Sequence, residues 1–281
     1  MQGNLFEGKP DEVAIERIQV NTEPLIEQGK EIIVAFSGGK DSVVLLDLVQ
    51  RSGIPHRVKY WQTCIDPPEL VRFIKEHYPY VEKEIRGKLL VWAKKHNIMP
   101  TRWRRWCCQR LKESGAAGQV VLMGVRWAES NRRRARRRMV ETCFREKGRV
   151  SISPIIDWSL SDVWSYIKVR GLPYCCLYDE GFKRLGCVMC PMQTPTQIAI
   201  ERKRWPGKAR IWEAMAHQVW HDNPKYHKVH KTPEDLFEWW ASGCPGLRTL
   251  TAAEEMFGDD LYEDEDEEDE PVWLFEEGAG I

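Results

Sequence analysis

Two groups of residues in this 281-residue chain have the types and spacing to do chemistry. The first is Ser37-Gly38-Gly39-Lys40-Asp41-Ser42. Its glycines let backbone N–H groups approach an anion closely, and a helix after the loop adds unpaired N–H groups and a positive dipole end. Lys40 supplies a point charge, Ser37 and Ser42 supply hydroxyl donors, and Asp41 can help hold Mg2+ or fix the loop. The expected ligand is a phosphate chain. No Gly-x4-Gly-Lys-Ser/Thr sequence occurs, so this is not the P-loop of the common ATPases. A plain glycine turn is the competing reading, and the full hexapeptide after an apolar run argues against it.

The second group is the cysteines. There are nine, including Cys107-Cys108, Cys175-Cys176 and Cys187-x-x-Cys190. Residues 1–6 lack the basic and apolar pattern of an export signal, so a cytoplasmic protein is expected and a disulfide framework is not. Thiolates are the expected ligands of an iron–sulfur cluster, and Cys-x-x-Cys places two sulfurs on one turn around a metal. A four-thiolate zinc site and buried thiols without metal are the alternatives. Adjacent cysteines both ligate only in an unusual geometry, so Cys175, or less readily Cys176, competes with Cys107 as the fourth ligand.

Arginine forms a third pattern. Arg102, Arg104 and Arg105 interleave with Trp103 and Trp106, and residues 132–138 are six arginines around Ala135. Arginine beside tryptophan suits phosphate backbones and unpaired bases, while a solvated arginine face with core tryptophans is the alternative. All 42 Lys and Arg precede residue 259, and twelve of the 42 Asp and Glu lie in 259–281, so the body carries +12 and the tail −12. The tail can compete with an anionic partner or simply solubilise the chain. The seven histidines show no catalytic pattern, and Trp239-Trp240 reads as core or interface. No run of about 18 apolar residues occurs, so no membrane span is expected.

The elements that would position these groups follow from periodicity. Residues 31–36 are a continuous apolar run, as in a strand buried on both faces. Further strands are expected at 57–62, 120–125 and 149–156. Helices are expected over 11–29 (with Val13, Ile15, Ile18, Leu25 and Ile26 inward), 41–50 (with Val44, Leu45 and Leu48 inward), 69–77, 88–96, from Gln109, and 159–170. Ser159 with Asp162 is close to a capping box. Alternating strands and helices imply an α/β fold with a doubly wound, mostly parallel sheet, followed by a helical, Trp-rich C-terminal region. The expected divisions are an N-terminal helical segment (1–30), a nucleotide-binding domain (31–192), a helical region (193–258) and an acidic, disordered tail (259–281).

On this frame the hexapeptide is similar to the pyrophosphate loop of the N-type ATP pyrophosphatases, within the adenine-nucleotide alpha-hydrolase superfamily. Those enzymes split ATP to AMP and pyrophosphate while adenylating a substrate. Further segments resemble the phosphoadenosine phosphosulfate (PAPS) reductase-like branch: Trp106 to Lys112, Gly124-Val125-Arg126 with Glu129-Ser130 and Arg133, Pro154 to Trp158 with Asp162 to Trp164, Leu172 to Gly181, and Arg184 to Pro191. The resemblance spans roughly residues 30 to 192. It implies catalytic roles for Lys40, Asp41 and Arg126. It implies nucleotide contacts from Ser37, Gly38, Gly39, Lys40, Asp41, Ser42, Gly124, Arg126 and Arg133. Cys107, Cys108, Cys187 and Cys190 resemble the [4Fe–4S] ligand arrangement of the adenosine phosphosulfate (APS) reductases.

Two departures separate the branches that the resemblance covers, which include sulfonucleotide reductases, sulfurtransferases and DNA-phosphorothioation enzymes. True PAPS and APS reductases usually alter the phosphate loop, which is intact here. They also carry a C-terminal catalytic cysteine in a Glu-Cys-Gly setting, to which Ser242-Gly243-Cys244-Pro245-Gly246 is a poor match. The expectation is an ATP-dependent sulfurtransferase using Mg2+ and a [4Fe–4S] cluster, acting on a nucleic acid or small acceptor with a sulfur-donor protein. A PAPS or APS reductase is the alternative. A nucleic-acid-binding module with a regulatory nucleotide site is the rival from another class.

Overall fold

The computed structural model describes residues 9–113, 118–143 and 148–246; the expected acidic tail lies outside them. In chain order the main elements are α1 (Pro10–Glu27), β1 (Ile32–Ala35), α2 (Lys40–Ser52), β2 (Arg57–Trp61), α3 (Pro68–His77), β3 (Glu82–Glu84) and α4 (Leu89–His96). Then come α5 (Trp106–Cys108), continued by a π-helical turn Gln109–Glu113, β4 (Val120–Leu122), α6 (Asn131–Arg136), β5 (Val140–Cys143) and β6 (Arg149–Ile152). The helices α7 (Leu160–Arg170), α8 (Pro195–Arg204), α9 (Pro206–Asp222) and α10 (Pro233–Ala241) follow. The described residues fall into two compact units, one drawn from residues 9–86 and 109–188 and the other from 87–108 and 189–246.

The first unit is built on a six-stranded sheet in the order β3-β2-β1-β4-β6-β5. All pairs are parallel except β5 with β6. From β1 the chain steps outward through β2 to β3, then returns to β4 on the other side of β1. This is a doubly wound α/β sheet, and its order reverses between β1 and β4, where such sheets open a crevice at the carboxyl ends of the strands. The loop after β1 is Ser37–Lys40, and the loop after β4 carries Gly124 and Arg126. Topology thus brings the two expected nucleotide segments to one place.

Ile32, Ile33 and Val34 are almost fully buried, as the continuous apolar run requires. Helix α2 buries Val43, Leu46 and Val49 as well as the expected Val44, Leu45 and Leu48, because α1 and α7 pack on it in addition to β1. Helix α1 faces inward through Ala14, Ile18 and Thr22 at four-residue spacing, so of the five expected contacts only Ile18 is buried. Ser159 accepts the Asp162 N–H at 3.1 Å and Asp162 accepts the Ser159 N–H at 2.7 Å, completing the capping box of α7. Arg17 of α1 makes a two-pronged pair with Asp157 at 2.8 Å on both sides and also reaches the Pro154 carbonyl at 3.0 Å.

Three elements had no counterpart in the sequence reading: β3, β5 and α6. Strand β3 is Glu82-Lys83-Glu84, an edge strand without apolar pattern, held by register to Lys59-Tyr60-Trp61. Strand β5 is the opposite edge and runs antiparallel to β6.

The second unit packs α4, α8, α9 and α10. Its core holds Trp212, Met215, Ala216 and Val219 of α9 against Leu236, Phe237 and Trp240 of α10, with the Trp212 and Trp240 rings 4.6 Å apart. Trp240 is core, as one of the two expected readings had it, and His230 is buried. Among the described residues no helix is long and apolar enough to cross a membrane.

Candidate functional site

The phosphate loop is built in the first unit by its own side chains. Ser42 Oγ donates to the Gly39 carbonyl at 2.8 Å and accepts the Ser37 N–H at 3.2 Å, closing the turn. Ser37 Oγ lies 3.2 Å from Ser42 Oγ and 3.4 Å from the Gly39 N–H. Gly38 has φ +69°, the left-handed region that glycine enters without a Cβ penalty. The N–H groups of Gly38 and Asp41 donate to no group among the described residues, so they remain available to an anion at the start of α2. The Lys40 N–H is taken by the Tyr178 hydroxyl at 2.9 Å. Burial, with the charge of Asp41 adding to it, raises the Tyr178 phenol above its usual range.

Lys40 is 5% exposed, and its Nζ lies 3.1 Å from Asp41 Oδ2 and 3.4 Å from the Lys183 carbonyl. Arg126, 3% exposed, donates through Nε to Asp41 Oδ1 at 2.6 Å and through Nη1 to the Trp158 carbonyl at 3.1 Å. Both Asp41 oxygens are therefore engaged by cations, and the carboxylate links Lys40 to Arg126. Of the two expected roles for Asp41, fixing the loop is the one this geometry carries out. Gly124 packs so closely that a Cβ there would meet the Asp41 carbonyl oxygen at 2.8 Å.

Glu129 accepts the Arg126 N–H at 2.9 Å and pairs with the Arg133 guanidinium. Burial holds Arg133 below its ordinary pKa; Glu129 opposes this, and the charges of Arg184 and Arg137 add to it. Arg126, Arg133 and Arg184 thus concentrate positive charge beside the carboxyl ends of β1 and β4. Glu129 and Tyr178 lie inside motifs quoted from the sequence, yet their orienting roles were not visible there.

Cys187 also belongs to the first unit. Its Sγ lies 3.7 Å from Thr63 Oγ1 and 4.0 Å from Asp66 Oδ1. Asp66 is 2% exposed; its Oδ2 accepts the Tyr60 hydroxyl and the Thr63 N–H, both at 2.7 Å, and Lys112 is 3.8 Å from its Oδ1. Sequence reasoning missed this buried carboxylate, whose only local signal was an Asp ahead of Pro67-Pro68 at a helix start.

The other three expected ligands, Cys107, Cys108 and Cys190, lie in the second unit. The segment before α5 is held by the helical core. Trp106 stacks on His96 at 4.9 Å and donates to the Ile98 carbonyl, Trp240 donates to the Pro100 carbonyl at 2.6 Å, and Tyr226 accepts the Met99 N–H. Arg102 reaches from this segment to the loop after Cys190, donating to the Pro191 carbonyl at 3.3 Å and the Gln193 carbonyl at 2.7 Å. That loop rests on buried Glu201, which accepts the Met189 N–H at 2.5 Å and the side-chain amides of Gln193 and Gln197. Burial raises the Glu201 carboxyl, against those hydrogen bonds.

The expected Arg/Trp pattern divides: Arg102, Trp103 and Arg105 are exposed, while Arg104 and Trp106 are buried. Trp106 is 1% exposed and Arg104 is 5% exposed, so neither can stack on or pair with a nucleic acid at the surface. The run 132–138 behaves differently, since Arg132, Arg134 and Arg136 are exposed and make no ion pair among the described residues.

No disulfide links the described cysteines, and among the described residues no three His, Cys, Asp or Glu side chains converge as ligands of one metal ion. Thiols are the donors that an iron–sulfur cluster uses, each on a separate iron rather than all around one point, and Cys107, Cys108 and Cys190 of the second unit are of that type. Cys175 is fully buried in the first unit, and burial pushes its thiol up to about 11. Cys244 is 8% exposed, and burial pushes it up to about 12.

Residues 31–193 match the model of the phosphoadenosine phosphosulfate reductase domain. An adenosine 5'-phosphosulfate reductase of Geobacillus kaustophilus is 30% identical over 196 residues, which cover 66% of this chain and 83% of that protein. An uncharacterised protein of Methanocaldococcus jannaschii is 30% identical over 198 residues, and there the chain spans only 41% of the relative's length. Among solved structures, the phosphoadenylyl-sulfate reductase of Candida auris in its phosphate complex is similar at 22% identity, covering 64% of this chain and 89% of that one with a TM-score of 0.46. The family match covers more than half of the chain and includes the phosphate loop, Gly124, Arg126, Arg133 and all four proposed thiol ligands, so this protein belongs to the phosphoadenosine phosphosulfate reductase domain family.

Proposed function

We propose that this chain is an ATP-dependent sulfurtransferase. It would bind ATP at Ser37–Ser42 and release pyrophosphate while adenylating an acceptor; sulfur from a donor protein would then displace AMP from that acceptor, with an iron–sulfur cluster held by Cys107, Cys108, Cys187 and Cys190. The carrying observation is the intact loop, with the amides of Gly38 and Asp41 open to an anion and Lys40 and Arg126 fixed on either side of Asp41. A phosphate chain seated there would meet backbone donors at the α2 N-terminus and the charge of Lys40, with Arg126 and Arg133 neutralising charge as pyrophosphate leaves. Mg2+ would be held mainly by phosphate oxygens, since Asp41 is engaged.

The second unit's contacts support the cluster. Arg102 ties the segment carrying Cys107 and Cys108 to the loop carrying Cys190, and Glu201 fixes that loop. When bound, the cluster supplies an iron centre able to accept sulfur. A sulfonucleotide reductase is the competing reading, favoured by the named relatives. The buried Cys244 speaks against it, because a thiol at about 12 is almost wholly protonated at neutral pH.

The deciding experiment measures pyrophosphate release from ATP and, in parallel, sulfite release from PAPS and APS with a thiol donor. ATP turnover supports the transferase; sulfite from either sulfonucleotide, without ATP turnover, overturns it. Running the assay with and without DNA or RNA tests the acceptor. The exposed arginines of α6 favour a nucleic acid, and affinity should then fall steeply with salt. Salt-independent binding would exclude backbone contacts. Nucleic-acid binding with no turnover of any nucleotide would instead support a binding module with a regulatory nucleotide site.

A further inference from the structure

Two arginines are buried among the described residues, Arg104 and Arg126. Arg126 is satisfied by Asp41 and the Trp158 carbonyl. Arg104 is not: its Nε and Nη1 are buried and meet no hydrogen-bond acceptor among the described residues. A guanidinium cannot shed its charge at ordinary pH, so burial without a counter-charge is strongly unfavourable. A buried group left in this state calls for an ion or ligand.

The backbone around Arg104 is well fixed. Its N–H donates to Thr101 Oγ1 at 3.1 Å and its carbonyl accepts the Thr101 N–H at 2.8 Å, a tight turn leading into α5. The buried carboxylate of the second unit, Glu201, is already held by Met189, Gln193 and Gln197. The nearest groups in the chain that can become anionic are Cys107 and Cys108, three and four residues on.

We propose that Arg104 is the buried counter-charge and hydrogen-bond donor of the thiolate-ligated cluster carried on the Cys107–Cys108 segment. This rests on the cluster reading above and adds a residue to it. Arg104 acts through the ligands as a positioning and tuning residue. A positive charge beside the cluster favours its more negative, reduced form, so removing the charge favours the oxidised form.

The test uses the full chain purified without oxygen, as wild type, Arg104→Met and Arg104→Lys. Iron and labile sulfide are measured first, then the cluster midpoint by redox titration, then the rate of cluster loss to a chelator. Arg104→Met should shift the reduction equilibrium about tenfold toward the oxidised cluster, a fall of about 59 mV for a one-electron couple, and lose its cluster about tenfold faster. Arg104→Lys should stay within about threefold of wild type on both readouts, since it keeps the charge. With the cluster stripped, Arg104→Met should melt at a higher temperature than stripped wild type, because the uncompensated charge is gone.

Should Arg104→Met fail to fold, Arg104→Gln carries the same expectation on the midpoint. Wild-type protein without iron overturns the cluster reading and this role together. Iron-loaded protein whose midpoint and chelator rate do not move in Arg104→Met overturns this role alone.

Discussion

The close approach of Gly124 to the phosphate loop offers a direct test of how that loop is held. A Cβ built on Gly124 would stand 2.8 Å from the Asp41 carbonyl oxygen and 2.9 Å from its carbonyl carbon. Those atoms are backbone and cannot rotate away, so Gly124→Ala must move the start of α2 off the end of β4. Overpacking of this kind costs about 1–3 kcal/mol. The displacement pulls on Asp41, whose oxygens hold Arg126 at 2.6 Å and Lys40 at 3.1 Å, so the cost falls on the nucleotide-binding arrangement. At about 1.4 kcal/mol per factor of ten, ATP affinity should weaken roughly 5- to 150-fold. Gly38→Ala is the comparison: its Cβ meets the side-chain ends of Ile74 and Leu70, which can shift, but φ +69° imposes about 1–2 kcal/mol on the fold itself. Titration calorimetry with ATP, alongside thermal unfolding, separates the two effects. Gly124→Ala binding ATP within twofold of wild type, with an unchanged melting temperature, would refute the reasoning.

Other expectations follow from single contacts. Asp41→Asn removes the charge joining Lys40 to Arg126, and pyrophosphate release should fall at least tenfold while the melting temperature drops by only a few degrees; retained turnover would show that the link is dispensable. Cys244 should resist iodoacetamide at pH 8 in the native protein and react once unfolded, as peptide mass spectrometry would show; rapid native labelling would favour the reductase reading. For Asp157, burial raises the carboxyl, but the Arg17 hydrogen bond and charge outweigh it and hold it below its usual range. Its contribution is therefore present above the unfolded carboxylate pKa and lost as pH falls through the lower folded value. Asp157→Asn should cost about 1–2 kcal/mol at pH 7, and a denaturant series should show the gap to wild type closing toward pH 3. An equal gap at both pH values would contradict the assignment.

The strand, loop and helix around Ser37–Ser42 were legible because they rest on local order: an apolar run, two glycines, a lysine and a helical pattern lie next to one another in the chain. Periodicity also exposed β1, β2, β4 and β6, since buried parallel strands must be apolar, and the Ser159–Asp162 box marked the start of α7. The edges were invisible: Glu82-Lys83-Glu84 becomes a strand only because Lys59-Tyr60-Trp61 offers it a ladder. Only tertiary structure decided how charge is paired, because that depends on which groups the fold brings together from far apart in the chain. It bound Asp41 to Arg126 across 85 residues and set Cys187 against buried Asp66 across 121. It also turned Arg104 inward, where the sequence had suggested a surface for nucleic acid, and left Arg132, Arg134 and Arg136 of α6 facing solvent.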